Sequence, residues 1–322
     1  MAQLFAYITH KEGVLDDSAA ELARAAAKLD AGAPVTAIVT GSGANLDKAC
    51  EAAAGIYPQV WKFDNPALSY PNAEAIRKLL VNVIPTGSIV LLAHDTFGMD
   101  LGPGLSVKLN AAYGADVIDI EAVADNKATL IRQEYAGMAH AHVSCDLSQG
   151  AVLTLRPGAF QAGEAAGAGG KVEDKSGEAG DLSAKRRFME VLQAEAGDVD
   201  ITKADVLVSI GRGIEDQENI ELAEDLAQAM GAVVSCSRPI VDAKWLEKAR
   251  QVGTSGKTVK PKVYMAMGIS GSFQHLGGLK GSPFIVAVNK NPKAPIFQVA
   301  DVGIVEDILE FMPALAEKIQ EG

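Results

Sequence analysis

Short apolar runs alternate with helical stretches along most of this 322-residue chain, and this alternation restricts the fold more than any other feature. Residues 4–8 and 35–40 have strand character on either side of a helical stretch at 17–29, and the pattern restarts at 204–210 and 218–230. Such alternation is typical of a parallel sheet with helices on its faces. We therefore predict an α/β fold of two domains, each a mostly parallel, Rossmann-like sheet with flanking helices.

A glycine-rich stretch divides the chain. Seven glycines fall between Gly158 and Gly180, among alanines and acids and with few large apolar side chains. Because such a composition cannot offset the entropy lost on ordering, it predicts a linker or a loosely held strap over 158–182. The predicted domains are 1–195, a partner-facing α/β domain that ends in this linker, and 196–322, a cofactor-binding α/β domain.

Charge and composition exclude several classes of function. The formal net charge is −12 and the pI is near 4.9, which disfavours a nucleic-acid partner. The three cysteines are far apart and contain no CxxC pair, so neither a zinc site nor a disulfide framework is expected. The N-terminus lacks a basic signal region, and no apolar run approaches the roughly 20 residues of a membrane span. We predict a cytoplasmic protein that is not embedded in a membrane.

Two segments of the first domain, a turn and a strand, carry histidines. His94 and Asp95 follow a buried strand, where open α/β sheets place ligands, although a pair that satisfies only local backbone groups is the preferred interpretation. His140 and His142 alternate along a strand and could form half of a metal site. Since no third ligand is evident nearby, exposed strand histidines are the preferred interpretation.

The first strand of the second domain ends in a glycine-arginine turn. Gly211 and Gly213 would let the backbone approach a ligand closely while the permanently charged Arg212 reaches it. This turn is not a nicotinamide fingerprint, because it lacks a third glycine at the required spacing. Glu215 and Asp216 would moreover repel a pyrophosphate.

Two later stretches add cations and hydroxyls. Ser237-Arg238-Pro239 brings a second arginine to a strand end, before a predicted helix at 242–250. The stretch 253–275 combines a glycine-hydroxyl loop, a strand and a glycine-serine turn that is expected to open a helix, whose N-terminus would suit a phosphate or a developing anion. His275 adds a side chain that can carry positive charge. A ring that becomes anionic on reduction needs such cations, and flavins are rings of this kind.

These motifs occur together, in order and at specific spacing. The segments are Gly211-Arg212-Gly213-Ile214, Ser237-Arg238-Pro239, Arg250-Gln251-Val252-Gly253 with Gly256-Lys257, Gly268-Ile269-Ser270-Gly271 through Gln274-His275, and Val288-Asn289. With them the second domain resembles the alpha subunit of electron transfer flavoproteins almost from end to end. In the first domain the resemblance is weaker and rests on residues 97–101 and 155–160.

The resemblance implies a heterodimer with an electron transfer flavoprotein beta subunit, and an FAD held mainly by the second domain. It implies an electron carrier without substrate turnover of its own, which takes electrons from flavin dehydrogenases and passes them to a quinone reductase or another acceptor through a stabilised anionic semiquinone. The FAD contacts that it implies are Arg212, Ser237, Arg238, Val252, Gly253, Thr254, Ser255, Ser270, Gly271, Ser272, Phe273, Gln274, His275, Asn289 and Asp307.

Three of these residues are expected to act on the flavin ring itself. The resemblance places Arg238 against the isoalloxazine, the Ser255 hydroxyl near flavin N5 and His275 near the pyrimidine end. The chain departs from the family at Thr254, where a glutamine is common, and this leaves the flavin potential open. Whether the beta subunit carries a second FAD or AMP, and whether electrons are bifurcated, is also open.

Two alternatives come from other functional classes. The second domain could be an NAD(P)-binding oxidoreductase domain of transhydrogenase or deoxyhypusine-synthase type, which would bind nicotinamide and show no stable yellow colour. It could also be a non-catalytic interaction module that retains a nucleotide pocket, which would be free of cofactor.

Overall fold

The computed structural model describes residues 3–30, 32–135, 139–160, 169–190, 199–281 and 283–321. The chain forms two compact units, Met1–Glu190 and Val191–Gly322. The domain boundary predicted at 195 lies outside the described residues.

The first unit is built on one large sheet. Its elements are β1 (Leu4–Ile8), β2 (His10–Lys11), β3 (Val14–Leu15), α1 (Ser18–Leu29), β4 (Val35–Gly41), α2 (Ala44–Ala54), β5 (Gln59–Asp64), α3 (Ala73–Val83), β6 (Ile89–Ala93), α4 (Thr96–Leu109), β7 (Ala112–Ala124), β8 (Lys127–Glu134), β9 (Ala139–Asp146), β10 (Ala151–Leu155) and β11 (Lys171–Asp174). The strand order is β11-β5-β4-β1-β6-β10-β7-β8-β9, and the neighbouring strands from β11 to β7 pair in parallel. The pairs β7–β8 and β8–β9 are antiparallel.

The central strand β1 shows why this sheet is covered on both faces. Leu4, Ala6 and Ile8 pack into a core with helices α1 and α2, whereas Phe5 and Tyr7 pack into a second core with α3 and α4. Alternate residues of a strand point to opposite faces, so a strand that is apolar at every position is buried twice. The predicted α/β class and the mostly parallel sheet are confirmed.

The end of the first unit differs from the predicted linker. Lys171–Asp174 pairs in parallel with β5 as the edge strand, and Ala179 and Leu182 are buried in the core. A Cβ atom at Gly170 would lie 1.9 Å from the Tyr57 carbonyl oxygen, so this glycine serves a close backbone approach rather than flexibility. Of the linker or loosely held strap predicted over 158–182, residues 171–182 are held against the first unit by these contacts, and 161–168 lie outside the described residues.

The second unit is a smaller sheet of five parallel strands. Its elements are β12 (Val206–Ile210), α5 (Ile220–Met230), β13 (Val233–Cys236), α6 (Arg238–Asp242), β14 (Val263–Met267), α7 (Phe273–Leu276), β15 (Phe284–Val288), β16 (Val302–Ile304) and α8 (Ile308–Glu321). The strand order is β13-β12-β14-β15-β16. The direction of strand addition reverses between β12 and β14, and open α/β sheets leave a ligand crevice beyond the carboxyl ends of the strands at such a point.

Two helices of the second unit differ from their predictions. Helix α6 begins at Arg238, with Ser237 extended before it and proline in its first turn, and it ends at Asp242. Lys244 has a left-handed backbone, so no helix continues over the predicted 242–250. Helix α7 begins at Phe273, directly after the glycine-serine turn as predicted, but it is a single turn that ends at Leu276. Among the described residues, no helix is both long and apolar enough to cross a membrane.

Candidate functional site

A cavity of about 470 Å³ lies in the second unit, at the carboxyl ends of its strands. It sits at the reversal of strand order, because the turns after both β12 and β14 form part of its wall. The lining residues are Arg212, Ser237, Arg238, Pro239, Asp242, Gln251, Val252, Gly253, Thr254, Ser255, Gly268, Ile269, Ser270, Ser272, Gln274, His275 and Asn289. Twelve of the fifteen predicted FAD contacts therefore meet in one place.

Three glycines bring the turns after β12 and β14 into contact. A Cβ atom at Gly211 would lie 2.4 Å from the Gly268 carbonyl oxygen, and one at Gly213 would lie 2.7 Å from the Gly268 Cα. The Gly211 amide donates to the Met267 carbonyl over 2.9 Å, and the Gly213 amide to that of Gly268 over 3.2 Å. The two turns therefore pack backbone against backbone, and of these three glycines Gly268 lines the cavity.

The loop after α6 is wrapped around Gln251. Its side chain is only 4% exposed, and its Nε2 donates to the Ser255 Oγ over 2.9 Å. The Lys257 amide donates to the Gln251 carbonyl over 2.7 Å. Sequence reasoning assigned Ser255 to the site and missed Gln251, because a single polar residue in an irregular loop gives no periodic signal of its burial.

Arg238 shares its charge with a neighbouring carboxylate. Its Nε lies 3.3 Å from the Asp242 Oδ2, one helical turn later, and the two side chains are 70% and 63% exposed. Both residues line the cavity, and Arg212 is exposed at its margin. Asp242 was not predicted as a site residue, because the sequence pattern placed it inside a longer helix.

His275 is buried rather than charged. Only 5% of it is exposed, and its Nε2 shares a hydrogen bond of 2.6 Å with the Tyr264 hydroxyl. Burial lowers the pKa of His275 to about 4, against a weaker opposing effect of the Val252 backbone. Nδ1 faces that backbone without a well-formed hydrogen bond. At neutral pH the imidazole of His275 is therefore a neutral polar group, and the positive charge that the sequence allowed there is not expected.

Asn289 lines the cavity while its amide holds two turns together. Its Nδ2 donates to the Ile269 carbonyl over 3.0 Å, and its Oδ1 accepts from the Asn291 amide over 2.9 Å. The ends of β14 and β15 are thereby fixed to each other. Gly271 packs against the Ile296 backbone, where a Cβ atom would lie 2.4 Å from the nitrogen, and it does not line the cavity.

Asp307 also lies outside the set of cavity-lining residues. Its Oδ1 accepts from the Leu309 amide over 3.0 Å at the start of α8, and its Oδ2 lies 2.9 Å from the Lys290 Nζ. Lys290 also binds Glu215 over 2.8 Å. Lys290 lowers the pKa of Asp307 and ties α8 to the turns after β12 and β15. The side chain of Phe273 lies outside the described residues.

The histidines of the first unit have local partners. The Asp95 Oδ1 accepts from the Gly98 amide over 2.6 Å and caps α4, and the His94 Nδ1 lies 2.9 Å from the Thr154 Oγ1. His142 is exposed and lies 2.9 Å from Glu121. In the described part of the chain, no three His, Cys, Asp or Glu side chains are grouped to hold a metal. The local interpretation thus holds for Asp95, whereas His94 contacts a side chain of β10 instead of local backbone groups.

Comparison with known proteins identifies both units. Residues 4–179 match the electron transfer flavoprotein domain, and residues 200–280 match the electron transfer flavoprotein FAD-binding domain. The predicted FAD is therefore confirmed as the cofactor, and the nicotinamide-binding and cofactor-free alternatives are set aside.

Three relatives align with at least 98% of the chain. The chain is 34% identical to electron transfer flavoprotein subunit alpha of Syntrophomonas wolfei over 100% of both chains. It is 33% identical to protein FixB of Clostridium saccharobutylicum over 99% of this chain and 96% of that one. It is also 32% identical, over 98% of this chain and 76% of the relative, to subunit LctC of the lactate dehydrogenase (NAD(+),ferredoxin) of Acetobacterium woodii. The chain belongs to the electron transfer flavoprotein alpha-subunit family.

Proposed function

We propose that this chain is the alpha subunit of a heterodimeric electron transfer flavoprotein, and that it holds FAD in the cavity of the second unit. The observation that carries the proposal is the convergence of two arginines, several hydroxyls and a glycine-lined backbone at the reversal of strand order. A dinucleotide cofactor with a redox-active ring matches this set of groups.

The donors in the cavity fit the chemistry of FAD. Ser237, Ser270 and Ser272 offer hydroxyls to a ribityl chain or phosphates, and Arg212 offers a permanent cation. Gly253 and Gly268 in the cavity lining leave space for close contact between the backbone and a ligand. When bound, FAD supplies the redox chemistry, and the protein supplies binding, orientation and electrostatics. Gly271, Phe273 and Asp307 stay predicted contacts.

Three residues have proposed roles at the ring. Arg238 places positive charge beside the isoalloxazine, Ser255 donates from its hydroxyl near N5, and His275 meets the pyrimidine end as a neutral group. Positive charge and hydrogen-bond donors favour an anionic reduced ring over the neutral oxidised one. Because of these groups, the site would stabilise the anionic semiquinone. Each 1.4 kcal/mol of preference for the anionic form changes the ratio of the two forms about tenfold.

The partners are proposed as classes. A beta subunit completes the heterodimer, with the first unit facing it, a flavin dehydrogenase supplies the electrons, and a quinone reductase or another acceptor receives them. The names of the relatives support this range, since one is a subunit of a lactate dehydrogenase and another is an electron transfer flavoprotein subunit. The cytoplasmic location and the domain boundaries of 1–195 and 196–322 also stay predictions.

Stepwise reduction with dithionite tests the proposal. The chain would be purified alone and again with its co-expressed beta subunit, and absorbance spectra would be recorded during anaerobic titration. We expect a flavin spectrum that passes through a red anionic semiquinone, more strongly with the partner present. A colourless protein in both preparations, or one that binds NAD instead, would contradict the proposed function.

A further inference from the structure

We propose that Gln251 is a positioning residue, which fixes the direction in which the Ser255 hydroxyl donates into the cavity. The inference rests on the proposed function, because it concerns the hydrogen bond that Ser255 offers to the flavin ring.

Gln251 is held rigidly on both its backbone and its side chain. Its amide donates to the Lys248 carbonyl over 3.1 Å, and its own carbonyl accepts from the Lys257 amide over 2.7 Å. A Cβ atom at Gly256 would lie 2.3 Å from the Gln251 carbonyl oxygen and 2.9 Å from its Cγ, so the loop closes tightly around this residue. The side chain therefore has little freedom to change its partner.

The polarity of the contact between Gln251 and Ser255 determines what the hydroxyl can do. An amide nitrogen only donates, so the 2.9 Å contact uses a lone pair of the Ser255 Oγ and leaves its O–H available. A hydroxyl that accepts one hydrogen bond becomes a better donor of another, because such bonds polarise each other. Ser255 is exposed on the cavity side of the loop, so its proton is offered to whatever the cavity holds.

A hydroxyl without this partner would behave differently. It could rotate among its staggered positions and could accept as readily as donate, so the group in the cavity would receive a weaker average donor. On the proposed function, that group is the N5 edge of the isoalloxazine, where charge accumulates on reduction. Loss of the Gln251 amide should therefore make entry of the first electron less favourable.

The test is a potentiometric titration of the FAD-loaded heterodimer carrying Gln251→Leu, Ser255→Ala or both. We expect Gln251→Leu to lower the equilibrium constant for the first electron three- to tenfold, and tenfold is about 59 mV for a one-electron step. Ser255→Ala should cause a fall at least as large, and adding Gln251→Leu to Ser255→Ala should change nothing further, since coupled residues are not additive. Gln298→Leu, which removes an exposed amide outside the cavity, is the matched control and should leave the potential unchanged.

Several outcomes would overturn the inference. An unchanged potential in Gln251→Leu would do so, as would an effect of equal size with and without the Ser255 hydroxyl. If Gln251→Leu does not retain flavin, Gln251→Met, which keeps an unbranched chain, replaces it. If both lose flavin while Ser255→Ala retains it, Gln251 acts on the loop and not through Ser255, and the inference is wrong. A wild-type protein without flavin would instead contradict the proposed function, so the two failures are distinguishable.

Discussion

At the scale of single residues, the ion pair between Arg238 and Asp242 sets how much positive charge the cavity presents. The guanidinium is permanently charged, but a carboxylate 3.3 Å away cancels part of its field. Both groups are exposed, so water screens the pair and the net effect is modest. Asp242 is therefore a cavity-lining residue whose charge should influence the potential of a bound flavin.

Asp242→Asn should raise the potential of the bound flavin, and Arg238→Ala should lower it, since one removes negative and the other positive charge near the ring. For an exposed pair we expect roughly 0.5–1 kcal/mol, which is about 20–40 mV for one electron. Potentiometric titration of each variant measures the shift. If the potential shifted in the same direction in both variants, the charge of these side chains would not be the cause of the shift.

His275 should impose a pH dependence on the stability of the cofactor-free protein. Its folded-state pKa is lowered from 6.5 to about 4 by burial. Above pH 6.5 the imidazole is neutral in both states, whereas below it the unfolded chain takes up a proton that the folded protein refuses until about pH 4. Stability should therefore fall by roughly 3 kcal/mol over this interval as the pH decreases.

Urea unfolding of wild type and His275→Gln between pH 4 and 8 measures this effect. The difference in free energy of unfolding between the two proteins should be constant above pH 7 and should change below pH 6.5. An NMR titration that places the pKa of His275 near 6.5 in the folded protein would contradict the burial argument.

At the scale of elements, the contact between the turns after β12 and β14 should tolerate no side chain. Gly211→Ala would place a methyl group 2.4 Å from the Gly268 carbonyl oxygen. The two turns must then separate, which should cost roughly 1–3 kcal/mol of stability and weaken FAD binding. Gly231→Asn is the control, because Gly231 has open space around it and asparagine tolerates its left-handed backbone. Denaturant unfolding and FAD titration of both variants measure these effects. Equal FAD affinity in Gly211→Ala and Gly231→Asn would refute the prediction.

Strands were more predictable from the sequence than the segments between them. The apolar runs at 4–8, 263–267 and 284–288 became β1, β14 and β15, because burial on both faces leaves a continuous apolar signature. The helix predicted at 242–250 and the linker or loosely held strap predicted at 158–182 both differ in the structure, because neither a local backbone reversal nor a distant strand pairing leaves a periodic signal in the sequence. A left-handed residue at Lys244 ends one, and pairing with β5 orders the other.

The same reasoning explains which parts of the site were found. Arg212, Ser237 and Ser270 follow strand ends, and a strand end in a parallel sheet can be located from the sequence. Gln251 could not be found in this way, because its role depends on a loop that folds back on it. The charge state of His275 was also beyond sequence reasoning, since it depends on burial beside Tyr264.

The residues at the carboxyl ends of the strands differ in chemistry between the two units. In the first unit, the N-terminus of α4 is occupied by the carboxylate of Asp95, which bonds the Gly98 amide. In the second unit, glycines and serines stand at the equivalent edge.

At the scale of the whole molecule, each unit has its own cores and its own tryptophan. Trp61 packs in the first unit and Trp245 in the second. We expect two thermal transitions, of which FAD raises only the one reported by Trp245, because a ligand stabilises the unit that binds it. Fluorescence melting of Trp61→Phe and Trp245→Phe, with and without FAD, assigns the transitions. A single transition that FAD shifts in both variants would show that the two units unfold together.

The strand order of the second unit also has a consequence during protein synthesis. The cavity takes one wall from the turn at Arg212 after β12 and another from Asn289 after β15, with the end of β14 between them and Ser237 after β13 on the outer side of β12. A nascent chain that has not yet released Asn289 from the ribosome lacks that wall. We therefore expect FAD to bind only late in the translation of this unit, after Asn289 has left the ribosome.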